Sequence, residues 1–331
     1  MKNYAKFILL GVLSLASISC QEKEEEQAPK KTQGAPVLTS FDVAVAATDA
    51  LCTAKWDKNG QSIIKWGAYI ATSEAGLKDP NVMTVLGSEA LLCNLKPATD
   101  YYVQVYATNS KGTTVSDPKA IKTKAVQSNQ AVDLGLSVKW ASINLGGSCP
   151  EDYGFYYFWG DTEGHSGDIG DGFNFLYETY KYFDKVPTAT TKFSINKYCT
   201  IEEYGLNGYT DTLVELESTD DAAIAALGGN WRMPTNAEWK ELHDKCTWKF
   251  VTREGFKGYE VSGNGNSIFL PFCGGRHDIR MLSVGSFANY WSSSICVELP
   301  TDGQCIALGP TSISLLNERR DSGFNIRAVC K

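Results

Sequence analysis

Most residues in this chain that could do chemistry lack the spacing the chemistry needs. The three histidines, His165, His243 and His277, are scattered. They show neither the H-E-x-x-H nor the H-x-H spacing that brings two imidazoles to one zinc ion, so none is assigned as a metal ligand. Asp161, Glu163, Asp168 and Asp171 lie in a glycine-rich loop. Such a loop is oxygen-rich and flexible enough to suit calcium, but its spacing is not that of an EF-hand, and a simply solvated acidic loop is the alternative. Ser292, Ser293 and Ser294 follow Tyr290-Trp291 without the glycines that force the strained turn of a nucleophile elbow. A serine–histidine–aspartate set brought together by folding is compatible with the sequence, though no feature favours it. Gly263-Asn264-Gly265-Asn266 reads as a hairpin turn and not as a phosphate loop, since no helix follows it. What remains is a mixture of aromatic and planar polar groups. Trp and Tyr stack on sugar faces, while Arg, Asp, Asn and Glu aim hydrogen bonds at hydroxyls. The candidate ligand-binding residues are Arg276, His277, Asp278 and Arg280, in the segment 274–289, joined by Trp159, Asp161 and Glu163. Trp231, Trp239 and Trp291 are read as core, with the core also the alternative for Trp159. Arg232 and Arg327 are read as makers of internal hydrogen bonds.

The elements that must position these groups centre on residues 228–246, reading GGNWRMPTNAEWKELHDKC. Ser218-x-x-Asp221 and Thr235-x-x-Glu238 both have the capping-box form that opens a helix. A first helix is expected over 219–227, stopping at Gly228-Gly229, where a residue without Cβ can turn left-handed. In the second, Trp239, Leu242 and Cys246 recur at helical spacing, so one face is apolar and must be buried.

The N-terminus reads as an address. Lys2 and Lys6 precede the apolar run 7–18, which is too short to span a bilayer and suits a signal-peptide core. It ends in Ala16-Ser17-Ile18-Ser19-Cys20, which resembles a loose bacterial lipobox. That resemblance implies removal of residues 1–19, acylation of Cys20 and anchoring by lipid; ordinary secretion is the alternative. Residues 20–34 are polar and charged without an apolar period, hence a disordered tether. Their acidic run Glu22, Glu24, Glu25 and Glu26 resembles the export signal that places Bacteroidetes lipoproteins on the outer face of the outer membrane; the alternative is a solvated spacer.

The remaining length suits two domains. A net charge of −7, with no basic cluster against it, argues against a nucleic-acid partner. Eight Trp, 16 Tyr and 30 Gly suggest β-rich, loop-rich modules with aromatic surfaces. Cys20 is one of ten cysteines and none lies in a C-x-x-C pair, so a zinc ribbon is not expected. Export permits disulfides. Cys296 and Cys305 flank the turn signal Pro300-Thr301-Asp302-Gly303, and Cys52 and Cys93 could sit on neighbouring strands, so both pairs are candidate disulfides; buried free thiols are the alternative.

Residues 35–125 alternate with period two. Ile64, Trp66, Ala68 and Ile70 fall on one strand face, and Tyr101, Val103, Val105 and Ala107 on another. The order Leu95-x-Pro97-x-Thr99-x-Tyr101, continuing through Val105 to Gly112, resembles fibronectin type III domains around their tyrosine corner. The resemblance implies an all-β sandwich that serves as a spacer. Residues 124–130 have no apolar pattern and read as a linker.

Residues 131–331 hold six ordered landmarks. They are residues 132–141; the aromatic stretch 152–163; the helical segment 231–242; the runs 265–271 and 290–294; and the terminal 323–330. In that order they resemble the Fibrobacter succinogenes major paralogous domain, a family related in fold to C-type lectin-like and formylglycine-generating-enzyme-like domains. This implies an α+β domain of two helices on a small twisted antiparallel sheet, with long loops carrying function. The enzymatic relatives use a cysteine pair near the C-terminus, and Cys296, Cys305 and Cys330 do not reproduce it. The stretch 164–213 is the least patterned, so Tyr177, Tyr180, Tyr182 and Phe183 form either a contact surface or a layer packed on the core. The expected function is non-catalytic, adhesin-like recognition of an extracellular glycan or protein by a lipoprotein of the outer membrane, with no cofactor; a calcium ion in the acidic loop is the alternative. The alternatives are a structural or fimbria-associated subunit, and a hydrolase or oxidase on the same fold.

Overall fold

Alternating apolar residues produce the first half of the fold. Strands β1 (Val37–Val45), β2 (Ala50–Asp57), β3 (Lys65–Ala71), β4 (Asn81–Val82), β5 (Val85–Leu86), β6 (Glu89–Leu92), β7 (Asp100–Asn109), β8 (Gly112–Val115) and β9 (Lys119–Lys122) make two antiparallel sheets. One runs β1-β2-β6-β5; the other runs β4-β3-β7-β8, with β9 also paired to β7. The computed structural model describes residues 33–78, 81–82, 85–86, 89–184 and 194–331, so the leader, Cys20 and nearly all of the tether lie outside the described residues. Ala68 and Ile70 face Val103 and Val105 in a core shared by both sheets, with Ala50, Cys52, Ala90 and Leu92 opposite. Ile64, expected on that face, is 70% exposed because it lies before β3 begins. The Tyr101 hydroxyl accepts the Lys96 N–H at 3.0 Å, which is the tyrosine corner the resemblance implied.

The second half mixes helices with short sheets. Strand β10 (Ala131–Val132) pairs with β11 (Lys139–Ala141), which pairs in turn with the terminal β20 (Val329–Cys330). Helices α1 (Ala222–Leu227) and α2 (Asn236–Lys245) follow a long irregular stretch. Strands β12 (Thr247–Arg253), β13 (Phe256–Gly263) and β14 (Asn266–Pro271) form a meander, and β15 (Gly275–His277) with β16 (Arg280–Leu282) forms a small hairpin. Strands β17 (Ala288–Ile295), β18 (Asp302–Gly309) and β19 (Ser312–Arg319) form the last sheet. No helix among the described residues is long and apolar enough to cross a membrane.

Local chemistry explains the helix ends. Thr235 and Glu238 form the expected capping box on α2, and Trp239 and Leu242 are fully buried. The cap of α1 is Asp221 and not Ser218. Its Oδ1 accepts the Ala223 and Ile224 N–H groups while its Oδ2 takes that of Met233, so the helix starts later than the spacing predicted. Between β13 and β14, Asn264 and Gly265 sit at φ 50° and 75°, the two positive-φ positions of a tight hairpin. Arg232 donates to Glu238 and the Met233 carbonyl, and buried Arg327 to Asn144, Ala141 and Phe269. Burial lowers the Arg327 pKa to about 10.

The cysteines do not pair as expected. All nine among the described residues are free thiols. Cys305 lies opposite Trp291 in the β17–β18 register, whereas Cys296 follows Ile295, whose partner is Gly303. Cys52 faces the sandwich core opposite Ala90, while Cys93, past the end of β6, enters the core of the second half. Burial pushes the thiols of Cys52, Cys149 and Cys273 up to about 12, far from the range of a reactive thiolate.

Residues 33–331 form one compact unit. The junction between its halves is built on Asp152, which is wholly buried. Its Oδ1 accepts the N–H groups of Ala47 and Thr48 in the sandwich at 2.9 and 2.8 Å. Its Oδ2 accepts those of Ser148 and Cys149 at 2.7 and 2.9 Å. Asp49 answers from the sandwich by accepting the Tyr153 N–H at 2.8 Å; burial, reinforced by the Asp152 charge, pushes its pKa well above the usual carboxylate range. Glu151 bridges Lys124 and Arg253. The segment read as a linker is bonded at its start and in its middle, Lys124 N–H to the Ala46 carbonyl and Gln127 N–H to that of Ser148. Higher up, Glu89 pairs with Lys257 at 3.3 Å and its carboxylate closes over Gly285. Leu91 and Met281 approach Gly167 so closely that a Cβ there would lie 2.7 Å from one and 3.3 Å from the other.

Candidate functional site

The β15–β16 hairpin projects from residues the sequence had marked, and its fixing is unusually dense. Arg276 exchanges two backbone hydrogen bonds with Gly323, both at 2.8 Å, and Asp278 exchanges two with Phe175, both at 3.0 Å. Asp278 takes the left-handed turn position at φ 51°. The loop 166–175 is held down by the Arg276 side chain. Its guanidinium is 0% exposed, donates to the Ser166 and Phe173 carbonyls and to both oxygens of Asp171, and lies 5.2 Å from the Phe175 ring centroid. Arg276 therefore positions the hairpin and is closed to ligand, contrary to its expected role.

Trp159 is also closed. It is fully buried and donates from its indole N–H to the Ser292 carbonyl at 2.9 Å. Its ring forms one wall around the guanidinium of Arg320, at 4.9 Å, with Tyr180, Tyr182, Phe183 and Tyr198 completing the enclosure at 5.4 to 5.9 Å. Arg320 donates to the Tyr180 hydroxyl and to the carbonyls of Tyr198, Pro300 and Lys197. This settles the open question for Tyr180, Tyr182 and Phe183, which pack inward; Tyr177 stacks on Phe183 and is buried, yet its ring also lines the cavity described below. Asp220 lies beside them. Burial alone would raise its pKa, but hydrogen bonds from Lys197, Tyr182 and Tyr198 outweigh that and hold it at about 2.

The acidic loop does not assemble a cation site. Asp161 accepts the Glu163 N–H, Asp168 that of Gly170, and Asp171 pairs with Arg276. Among the described residues no three His, Cys, Asp or Glu side chains are placed to hold a metal ion. Neither Asp161 nor Glu163 lines the cavities described below. The serines after Trp291 are likewise committed: Ser293 and Ser294 donate to Glu215, and Ser292 to the Gln304 carbonyl.

Of the seven candidates, His277, Asp278 and Arg280 meet in one place. They line a cavity of about 560 Å³ together with Tyr177, Glu178, Arg319, Asp321 and Ser322. Arg319 makes a two-point pair with Asp321 and lies over the Tyr177 ring at 5.7 Å. Arg280 and Asp278 are 3.6 Å apart and both largely exposed. His277 Nδ1 sits 3.2 Å from the Ser322 hydroxyl, and burial keeps the ring pKa below its ordinary value, with Arg280 adding to and Asp278 and Asp321 opposing that shift. The site thus offers planar charged groups of both signs beside a neutral imidazole. Sequence reasoning missed Glu178, Arg319, Asp321 and Ser322. Arg319, Asp321 and Ser322 arrive because β19 ends beside the hairpin and Gly323 pairs with Arg276, a long-range contact that no local spacing signals. Beside it the same hairpin face walls a second cavity of about 370 Å³, sharing His277 and Leu282 with the first.

No family model matches the chain, and no curated protein matches it. Solved structures similar to it are fibronectin type III domains. The FN1–FN3 domains of chicken CNTN1 are 23% identical over 27% of this chain and 33% of theirs, with a TM-score of 0.24, so this chain spans about a third of their length. An fn3 domain of human contactin 1 is 20% identical over 34% of this chain and 98% of its own, with a TM-score of 0.25. A further human FNIII domain is 21% identical over 35% and 100%, with a TM-score of 0.25.

Proposed function

We propose that this is a non-catalytic surface lipoprotein, anchored through Cys20 on the extracellular side of an outer membrane, whose lectin-like second half recognises a glycan or protein at the β15–β16 hairpin. The observation that carries this reading is the cavity lined by His277, Arg280, Arg319 and Asp321, on a hairpin immobilised by Arg276. Rigid planar groups of fixed direction suit oriented recognition. The lectin-like assignment rests on the ordered landmarks of residues 131–331, on two helices and on several small antiparallel sheets. The Ser322–His277 contact is the feature an enzymatic reading would use. It is not favoured, because Ser322 is 5% exposed and no described carboxylate hydrogen-bonds the imidazole.

A glycan array together with a protein-capture screen, run on the whole chain with calcium and with a chelator, tests this. Saturable binding that falls at least about tenfold in Arg280→Ala supports the reading; binding that ignores Arg280→Ala, or none at all, removes it. A structural role is the second reading, favoured by β19, an eight-residue strand whose described ladder is to β18 alone. It predicts self-assembly or uptake of a donated strand, abolished by a proline placed in β19.

A further inference from the structure

We infer that the second cavity, next to the first and sharing His277 and Leu282 with it, is a subsite for a neutral pyranose unit; this rests on the recognition reading and names the ligand class. Asn289, Ala307 and Ser314 stand opposite one another across β17, β18 and β19, so their short side chains make a level floor. Leu282, Phe287 and Leu316 rise around it and are 39%, 50% and 39% exposed. Phe287 is packed against Gly309, where a Cβ would fall 2.6 Å from the ring, so the aromatic face is set at a fixed height over the floor.

No Lys, Arg, Asp or Glu lines this cavity, and His277, its one titratable group, has its pKa lowered by burial. A charged ligand would lose hydration there without gaining a counter-charge. A sugar ring has what the walls complement: a C–H face for an aromatic ring, and hydroxyls for the Asn289 carboxamide and the hydroxyls of Ser312 and Ser314. Its volume of about 370 Å³ lies within the range of small-molecule sites. The cavity is lined from all three strands and opens on the face of the sheet, so a peptide strand added along the edge of β19 would run beside it and not fill it.

The test is saturation-transfer NMR and titration of the whole chain with the methyl glycosides of neutral hexoses and with uronic acid counterparts. Phe287→Ala, at a half-exposed position, is expected to weaken neutral-glycoside binding by about tenfold or more, and Ser314→Tyr, which fills the floor from an exposed strand site, to abolish it. Ile64→Ala on the sandwich serves as the unchanged reference, and circular dichroism checks that both variants fold. Neutral glycosides that bind equally well to both variants but lose affinity in Arg280→Ala overturn the subsite and leave surface recognition standing. Preference for the uronic acids also overturns it. If no glycoside or array glycan binds while a protein partner is captured, the sugar assignment falls while surface recognition survives.

Discussion

Replacing Asp152 by Asn leaves shape and volume almost unchanged but removes half of what the carboxylate does. Four N–H groups, buried or part-buried, converge on it, two from the sandwich and two from the turn at Ser148. An amide has one accepting oxygen, so whichever way Asn turns, its NH2 faces two donors. Hydrogen bonds to a charged acceptor contribute about 1.5–3 kcal/mol each, so losing two costs about 3–6 kcal/mol. Set against a typical domain stability of about 5–15 kcal/mol, that is a large fraction of the whole. Equilibrium urea unfolding should show the loss as a lower midpoint. Calorimetry should show the single transition of the native chain broadening or splitting as the sandwich separates from the second half. A loss below about 1 kcal/mol with one sharp transition retained would refute the assignment of Asp152 as the tie between the halves.

The other perturbations are simpler to read. Arg320→Met keeps most of the volume but strands three carbonyls, two of them buried, and removes the cation from the aromatic enclosure, so it should destabilise by at least about 3 kcal/mol in the same urea assay; Arg320→Lys should recover only part of it, since one ammonium cannot reach all four partners. Asp220 is held at about 2 against an ordinary 3.8, so the stability it confers is full above 3.8 and lost as pH falls through 2; Asp220→Asn should flatten the dependence of Tm on pH in that window, and an unchanged slope would count against the Lys197–Tyr198 network. Buried thiols held near 12 should resist alkylation in the native state, and reductant should leave both Tm and non-reducing gel mobility unchanged; a reductant-sensitive Tm would restore one of the disulfides the register argues against.

What could be read directly from the sequence was local. The Thr235–Glu238 box, the Asn264-Gly265 turn and the Tyr101 corner each depend on neighbours a few residues away, and each is in place. Direction was not legible. Arg276 and Arg280 are two positions on either side of a turn, yet one is swallowed by the loop 166–175 and the other faces solvent. The difference is made by Asp171 and Gly323, distant in the chain. Trp159 misled for the same reason: the stretch 152–163 forms no strand, only isolated bridges at Tyr156 and Tyr157, and an aromatic in the turn that follows fits a rim or a core equally until Arg320, from the far end of the chain, decides it. Cysteine pairing failed because flanking a turn does not set register, and β17 and β18 are out of step near Ile295.

The sandwich side chains Glu89 and Leu91 reach the loops on either side of the hairpin, at Gly285 and Gly167. A loop already immobilised from below has little freedom left to lose when a ligand arrives, so ordering entropy subtracts little from its affinity. By the same linkage, a ligand that favours the ordered loop raises the melting temperature of the sandwich it never touches. For a ligand bound as proposed, exchanging the sandwich for another module of equal length would then alter affinity without altering one ligand contact, so the first half would enter the thermodynamics of the candidate site.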